Sequence, residues 1–225
     1  MSSGSAPRLH QDLSILIPAA GRGERLGLGP KACLELAGQP LVVWVTRKAL
    51  QVCDDVVVAA PPGYLEIFRT LCPDCRIIEG GSTHQQSVGM LLDATNRDWV
   101  MTTIVARPFV SVALLDTVLD KAKEIGAAGA FLGPDVPVAQ IADNQVVRDF
   151  CNHEIGFFQS PQAFSRILLK QVYAQAAQQG WIEQSPLQLV LRAGKKAGVV
   201  TGEKTNIKLT TSEDWLIAQL FTAYL

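Results

Sequence analysis

The chain has 225 residues, 48% of them hydrophobic, and a formal net charge of −1, so it is long enough to bury a substantial core. The near-zero net charge excludes a broad electrostatic attraction to nucleic acid or to an anionic membrane surface. No apolar run approaches the length of a membrane span or resembles a secretory signal. We expect residues 1–11, which are polar and serine-rich, to form a disordered leader, and residues 12–225 to form one cytoplasmic domain.

Five cysteines are scattered along the chain, and their odd number argues against a disulfide framework. Cys72 and Cys75 have the spacing of a redox or zinc pair, but the second cysteine pair that would complete a zinc site is missing. We interpret these two residues as reduced thiols in a connecting segment, which agrees with a cytoplasmic location.

The first predicted strand, at residues 13–17, is followed by a loop of small residues that carries Arg22, Arg25 and Lys31. Small residues let backbone N–H groups approach an anion closely, and the cations can neutralise several phosphate oxygens. Leu26 stands where a dinucleotide fingerprint needs glycine, and Pro30 stands where a Walker loop needs it. The pattern therefore predicts another kind of polyphosphate site, at the C-terminal end of the first strand of an open α/β sheet.

Strands and helices alternate after this loop. The apolar runs predict strands at residues 56–60, 76–78, 99–104 and 127–132, separated by amphipathic helices, the first of them at about residues 40–52. Alternation with short connections predicts an α/β fold of the Rossmann-like, doubly wound type, with a mostly parallel sheet covered on both faces.

Residues 133–158 interrupt this alternation. Two short predicted strands, at residues 136–141 and 145–150, flank an Asp143–Asn144 turn and indicate an inserted β-hairpin arm. We expect an exposed apolar hairpin to pack against a partner surface. Helices are predicted at about residues 162–179 and 185–193, short strands at 198–200 and 206–209, and a last helix that begins at Thr211 with a hydroxyl cap.

Several short segments, in a fixed order, carry a resemblance to a known family. The chain resembles the 2-C-methyl-D-erythritol 4-phosphate cytidylyltransferases from about residue 13 to residue 225. The segments that match are Pro18 to Lys31, Gly80 to Val88, Ala106 to Val110, Asn206 to Thr210 and, more weakly, Ser160 to Gln162.

The resemblance implies transfer of a cytidylyl group from CTP to the phosphate of an acceptor, 2-C-methyl-D-erythritol 4-phosphate, with release of pyrophosphate. It implies Arg25, Lys31 and Lys208 as catalytic cations and Arg107 as the residue that binds the acceptor. Because the acceptor phosphate is already an oxyanion, catalysis reduces to positioning two anions and stabilising charge. The nucleotide-binding positions implied are Pro18, Ala19, Ala20, Gly21, Arg22, Gly23, Gly80 and Ser87.

The chain departs from the family at positions that matter for the metal and the acceptor. Thr103 and Ile104 replace a His-Asp pair whose carboxylate helps to hold Mg²⁺, and Asn152 replaces an arginine of the hairpin arm. We therefore assign no metal ligand in the protein and expect Mg²⁺ to be held weakly, mainly by the nucleotide. Two alternatives remain: a non-catalytic nucleotide-binding or scaffold relative, and a cytidylyltransferase for a different alditol phosphate.

The expected partners are CTP, a sugar-alcohol phosphate and a second copy of the chain. The resemblance implies a homodimer through the hairpin arm. Neither nucleic acid nor a membrane is an expected partner.

Overall fold

The computed structural model of the chain describes residues 9–21 and 29–225. The expectations for residues 1–8 and for Arg22, Gly23 and Arg25 therefore lie outside the described residues. Within the described ranges, no helix combines the length and the apolar character that crossing a membrane requires.

A seven-stranded sheet forms the centre of the fold. Six strands run parallel, and the seventh, β10, runs antiparallel between β6 and β7. Short separate sheets pair β2 with β3 and β8 with β9. The strands are β1 (Leu13–Pro18), β2 (Glu35–Leu36), β3 (Gln39–Pro40), β4 (Asp55–Ala60), β5 (Arg76–Glu79), β6 (Trp99–Thr102), β7 (Ala127–Leu132), β8 (Val138–Ala142), β9 (Gln145–Phe150), β10 (Phe157–Ser165) and β11 (Gly198–Thr201); the large sheet has the order β11-β7-β10-β6-β1-β4-β5.

Helices cover both faces of the large sheet. Successive residues of β1 enter different cores: Ile15 and Ile17 pack on one face, and Leu16 packs on the other. This alternation of buried side chains confirms the predicted doubly wound α/β fold. The helices are α1 (Leu41–Ala49), α2 (Leu65–Leu71), α3 (His84–Asp93), α4 (Val112–Ile125), α5 (Arg166–Gln179), α6 (Pro186–Arg192) and α7 (Ser212–Leu220), with 3₁₀ turns at Lys31–Cys33, Asn152–Glu154 and Thr222–Tyr224.

Two predictions for the C-terminal half of the chain are wrong. The helix expected from residue 162 begins at Arg166, and residues 162–165 instead belong to the central strand β10, where Phe164 is fully buried. Residues 206–209 were expected to form a strand, but residues 202–210 contain neither helix nor strand. The presence of β10 matters for the site. Because β10 runs antiparallel, its N-terminal half lies at the carboxyl ends of the other strands, the edge where open α/β sheets bind ligands.

The predicted hairpin is present as strands β8 and β9. Its turn residues, Asp143 with φ of 49° and Asn144 with φ of 61°, have the left-handed backbone that a tight two-residue hairpin turn requires. The apolar side chains of Ile141 and Val146 are about seven-tenths exposed, at 69% and 71%. The arm therefore presents apolar surface outside the main sheet.

The turn after β5 packs directly on the turn after β1 through Gly80. A Cβ atom added at Gly80 would lie 2.5 Å from the Cβ of Ala20, 3.2 Å from the Oγ of Ser87 and 3.3 Å from the Cβ of Ala59. Only a residue without a side chain allows the two turns to approach this closely.

We predict that Gly80→Ala forces these turns apart and lowers the free energy of unfolding by about 1–3 kcal/mol, the usual cost of overpacking. Gly21→Ala is the matched control, because a Cβ atom there meets no described atom within 4 Å. Denaturant unfolding of both variants measures the difference. Equal stability of the two variants would show that the turns are not in contact.

Candidate active site

The first loop of the site begins where β1 ends. The backbone N–H of Ala19 donates to the carbonyl of Ala59 at 2.9 Å, which fixes the exit from the strand. Pro18 and Ala19 are buried, Ala20 is half-buried and Gly21 is exposed. The predicted nucleotide-binding residues of this turn thus lead from the core out to the surface of the sheet edge where open α/β folds bind ligands.

The second loop joins β5 to α3 and contains Gly80 and Ser87. The Ser87 hydroxyl accepts from the N–H of Gly81 at 3.1 Å and donates to the carbonyl of Thr83 at 2.9 Å. Ser87 is almost fully buried. In this structure its side chain therefore shapes the glycine turn, and the turn lies against the loop that follows β1.

Lys31 begins the 3₁₀ turn that follows the first loop. Its ammonium group, Nζ, donates to the carbonyl of Leu209 at 2.7 Å. This contact joins the first loop to the irregular segment 202–210, which precedes α7. The predicted phosphate-binding lysine is thus held beside the segment that carries Lys208.

Arg107 lies in the turn that follows β6 and is half-buried. Its guanidinium donates to the carbonyl of Asn206 and, at 3.3 Å, to the carbonyl of Phe158. The turn itself is held by Lys48, whose Nζ donates to the carbonyl of Pro108 at 3.0 Å. Burial lowers the pKa of Arg107 to about 10, which leaves its charge intact at neutral pH.

Lys208 is exposed and lies between the two carbonyls that Arg107 and Lys31 contact. Its charge also reaches His84 at the start of α3: desolvation first, and then the positive charge of Lys208, lower the pKa of the His84 imidazole. The structure therefore brings the predicted residues Lys31, Arg107 and Lys208 together at the carboxyl edge of the sheet. They meet in a cleft between the loop after β1, the turn after β6 and residues 202–210.

Three buried polar atoms beside these cations have no hydrogen-bond partner among the described residues. They are the Oγ of Ser160, the Oγ1 of Thr103 and the Oδ1 of Asn206. Sequence reasoning named these residues only as parts of matching or departing segments and did not assign them to the site. Buried polar groups normally find partners, so these three atoms are exceptions within the fold.

The described side chains do not form a metal centre. Within residues 9–21 and 29–225, no group of three or more histidine, cysteine or acidic residues is arranged to hold a metal ion. Ile104, half-buried just after the end of β6, brings no oxygen ligand to the cleft.

A cavity of about 640 Å³ lies at the opposite, amino-terminal edge of the sheet. Its polar side chains are bonded to one another: Arg76 donates to the carboxylate of Asp55 at 2.7 and 2.9 Å, and Thr95 donates to the same carboxylate at 3.2 Å. These hydrogen bonds satisfy polar groups of the cavity, and its position at the opposite edge separates it from the cluster of cations.

Comparison with known proteins gives a consistent result. The family model for 2-C-methyl-D-erythritol 4-phosphate cytidylyltransferase matches residues 13–223. A cytidylyltransferase of that name from Thermus thermophilus is 37% identical over 215 residues, which cover 92% of this chain and 96% of the relative. Another of that name, from Deinococcus radiodurans, is 36% identical and covers 98% of this chain and 92% of the relative.

Solved structures agree with the fold. The crystal structure of the Thermus thermophilus enzyme superposes with a TM-score of 0.80 at 33% identity, covering 92% of this chain and 97% of that one. The 4-diphosphocytidyl-2C-methyl-D-erythritol synthase of Anaerococcus prevotii superposes with a TM-score of 0.85 at 23% identity, covering 95% and 96%, and supports the fold alone. With the family model covering nearly the whole chain and relatives above 30% identity along its length, the chain belongs to the 2-C-methyl-D-erythritol 4-phosphate cytidylyltransferase family.

Proposed function

We propose that this chain performs the CTP-dependent cytidylyl transfer of its family, with 2-C-methyl-D-erythritol 4-phosphate as the acceptor and an isoprenoid precursor as the product. The observation that carries the proposal is the convergence of three cations on one segment. Lys31 contacts the carbonyl of Leu209, Arg107 contacts the carbonyl of Asn206, and Lys208 lies between them. A cluster of cations at the carboxyl edge of the sheet suits a triphosphate and a second phosphate.

The reaction needs little covalent chemistry from the protein. An oxygen of the acceptor phosphate attacks the α-phosphorus of CTP, and the bond from that phosphorus to the pyrophosphate oxygen breaks. The attacking oxygen already carries a negative charge, so no general base is required. The protein contributes by holding two mutually repelling anions together and by stabilising the charge on the phosphoryl oxygens.

In this proposal the turns after β1 and β5 hold the nucleotide. Pro18, Ala19, Ala20, Gly21, Gly80 and Ser87 supply close backbone approach on the described part of this wall, and Arg22, Gly23 and Arg25 extend it outside the described residues. Arg107, oriented by the carbonyls of Asn206 and Phe158, binds the acceptor phosphate.

We assign Mg²⁺ to the nucleotide rather than to the protein. The described side chains near the cleft do not supply a carboxylate cluster, and Ile104 stands where a carboxylate would reach the ion. Mg²⁺ keeps several water ligands and commonly binds through substrate phosphates, so the triphosphate can hold it. We also propose the cytoplasm as the compartment, because all five cysteines are free thiols.

We further propose that two copies of the chain associate through the hairpin arm, residues 133–158. The arm forms its own two-stranded sheet, and such an isolated hairpin is at best marginally stable in water. Its exposed apolar side chains, Ile141 and Val146 among them, would be covered by a second copy related by a two-fold axis.

The first test of function is pyrophosphate release from CTP, which we expect only when methylerythritol phosphate and Mg²⁺ are both present. Lys31→Ala should lower turnover by a factor on the order of 10²–10³, as for loss of one transition-state donor. Lys204→Ala is the control, because Lys204 lies on segment 202–210, is exposed and pairs at 2.8 Å with Asp135, which is outside that segment. Turnover that ignores Lys31 removes it from the mechanism, and binding of CTP without turnover would favour the non-catalytic alternative.

A second test concerns Ile104. We expect Ile104→Asp to tighten Mg²⁺-dependent CTP binding, because it adds a hard, charged oxygen ligand just after the end of β6. Ile104→Asn serves as the control, because asparagine has nearly the same shape as aspartate but carries no charge. Calorimetry with and without Mg²⁺ distinguishes them. If Asp and Asn give equal affinities, the metal does not approach residue 104.

A third test concerns assembly. We expect sedimentation equilibrium to show a dimer at micromolar concentration and Val146→Asp to shift it toward monomer, because a buried carboxylate disfavours an apolar interface. Val199→Asp is the control, since Val199 is 65% exposed on the edge strand β11, away from the arm. A wild-type monomer, or equal effects of both variants, would exclude the arm as the interface.

A further inference from the structure

Gln159, in the antiparallel strand β10, uses both ends of its side-chain amide on one distant segment. Its Oε1 accepts from the N–H of Glu203 at 3.1 Å and from the Nδ2 of Asn206 at 3.4 Å. Its Nε2 donates to the carbonyl of Glu203 at 3.0 Å and lies 3.5 Å from the carbonyl of Asn206. A single buried amide, 6% exposed, thus spans the turn from residue 203 to residue 206.

The segment that Gln159 holds has no regular structure of its own. Residues 202–210 form neither helix nor strand, so their backbone polar groups need partners elsewhere. The N–H of Gly202 donates to the carbonyl of Phe131 at 2.7 Å, and the N–H of Asn206 donates to the carbonyl of Glu203 at 3.1 Å. Gln159 supplies the partners that a neighbouring strand would otherwise give.

The backbone of Gly202 lies against the side-chain amide of Gln159. A Cβ atom added there would lie 2.3 Å from the Oε1 of Gln159 and 3.0 Å from its Cδ. A side chain at position 202 would therefore push the amide away from Glu203. The close approach of this backbone to Gln159 is an observation independent of the hydrogen bonds.

The held segment carries the groups that orient the cations. The carbonyl of Asn206, within reach of the Gln159 amide, receives the guanidinium of Arg107, and Lys208 follows two residues later. Gln159 touches neither proposed phosphate, yet it fixes the backbone on which both cations depend.

We propose that Gln159 is a positioning residue for the acceptor-phosphate site, acting through residues 203–206 on Arg107 and Lys208. The proposal rests on the proposed function for its kinetic consequence. An amide is required because both donor and acceptor atoms are used: glutamate loses the donors and sets a negative charge against two carbonyls, and methionine keeps the shape without the hydrogen bonds.

The experiment compares Gln159→Met and Gln159→Glu with Gln162→Met. Gln162 is the matched control: it lies on the same strand and is 4% exposed, and its side-chain hydrogen bonds do not involve residues 203–206. Its Oε1 accepts from the N–H of Leu187 at 3.2 Å, and its Nε2 donates to the backbone carbonyl of Gln159 at 3.5 Å. Because one hydrogen bond corresponds to a factor on the order of ten, we expect the KM for methylerythritol phosphate to rise about tenfold in both Gln159 variants. We expect the Kd for CTP, measured by calorimetry, to stay within about twofold.

Hydrogen exchange supplies a readout that needs no turnover. Gln159→Met should speed amide exchange across residues 203–208, whereas Gln162→Met should speed it around residue 187. Unchanged exchange at 203–208 would overturn the proposal. Equal increases in the KM for methylerythritol phosphate and in the Kd for CTP in all three variants would also overturn it. Faster exchange at 203–208 in a chain whose wild type has no turnover would instead place the error in the proposed reaction.

Discussion

The backbone of residues 202–210 has to satisfy its polar groups without a helix or a strand, and the cleft depends on how it does so. The carbonyls of Asn206 and Leu209 receive the charged groups of Arg107 and Lys31. The N–H of Leu209 donates to the carbonyl of Ala106 at 2.8 Å, next to Arg107. Cations from two distant loops are thus tied to one segment, and any shift of that segment moves all of them together.

The direction of strand β10 makes this arrangement possible. Because β10 runs antiparallel between β6 and β7, its first half, including Gln159 and Ser160, lies at the carboxyl edge of the parallel strands. A seventh parallel strand would place its N-terminal half at the opposite edge, away from the cations. The one exception to the parallel sheet therefore supplies a wall of the proposed acceptor site.

The sequence predicted the sheet well where apolar runs are continuous, as in β1, and where turn residues are specific, as at Asp143 and Asn144. It failed at β10 because proline argues against a central strand, and polar residues flank Pro161. The structure accommodates Pro161 at a break in register between Phe158 and Gln162, which is where proline is tolerated in a sheet.

The same distinction applies to the site. The glycine-rich loop pointed to Lys31, the family resemblance pointed to Arg107 and Lys208, and the structure brings all three to one cleft. Gln159 was not predictable, because its role comes from a segment 44 residues further along the chain, and a glutamine on a strand carries no signal of its own. The hydroxyl of Ser87 shows the reverse case: the motif identified the residue, but its described contacts are with its own turn.

The partners of Arg107 explain how its charge can attract an anion before substrates arrive. Arg107 donates to the neutral backbone carbonyls of Asn206 and Phe158, which orient its charge without cancelling it as a carboxylate would. Burial lowers the pKa of Arg107, so its charged form is held at a cost that an approaching phosphate relieves. With Ile104 just after the end of β6, no carboxylate at that position offsets this positive charge. The positive charge of Arg107 can therefore act on an anionic substrate and help to offset the mutual repulsion of the two anions.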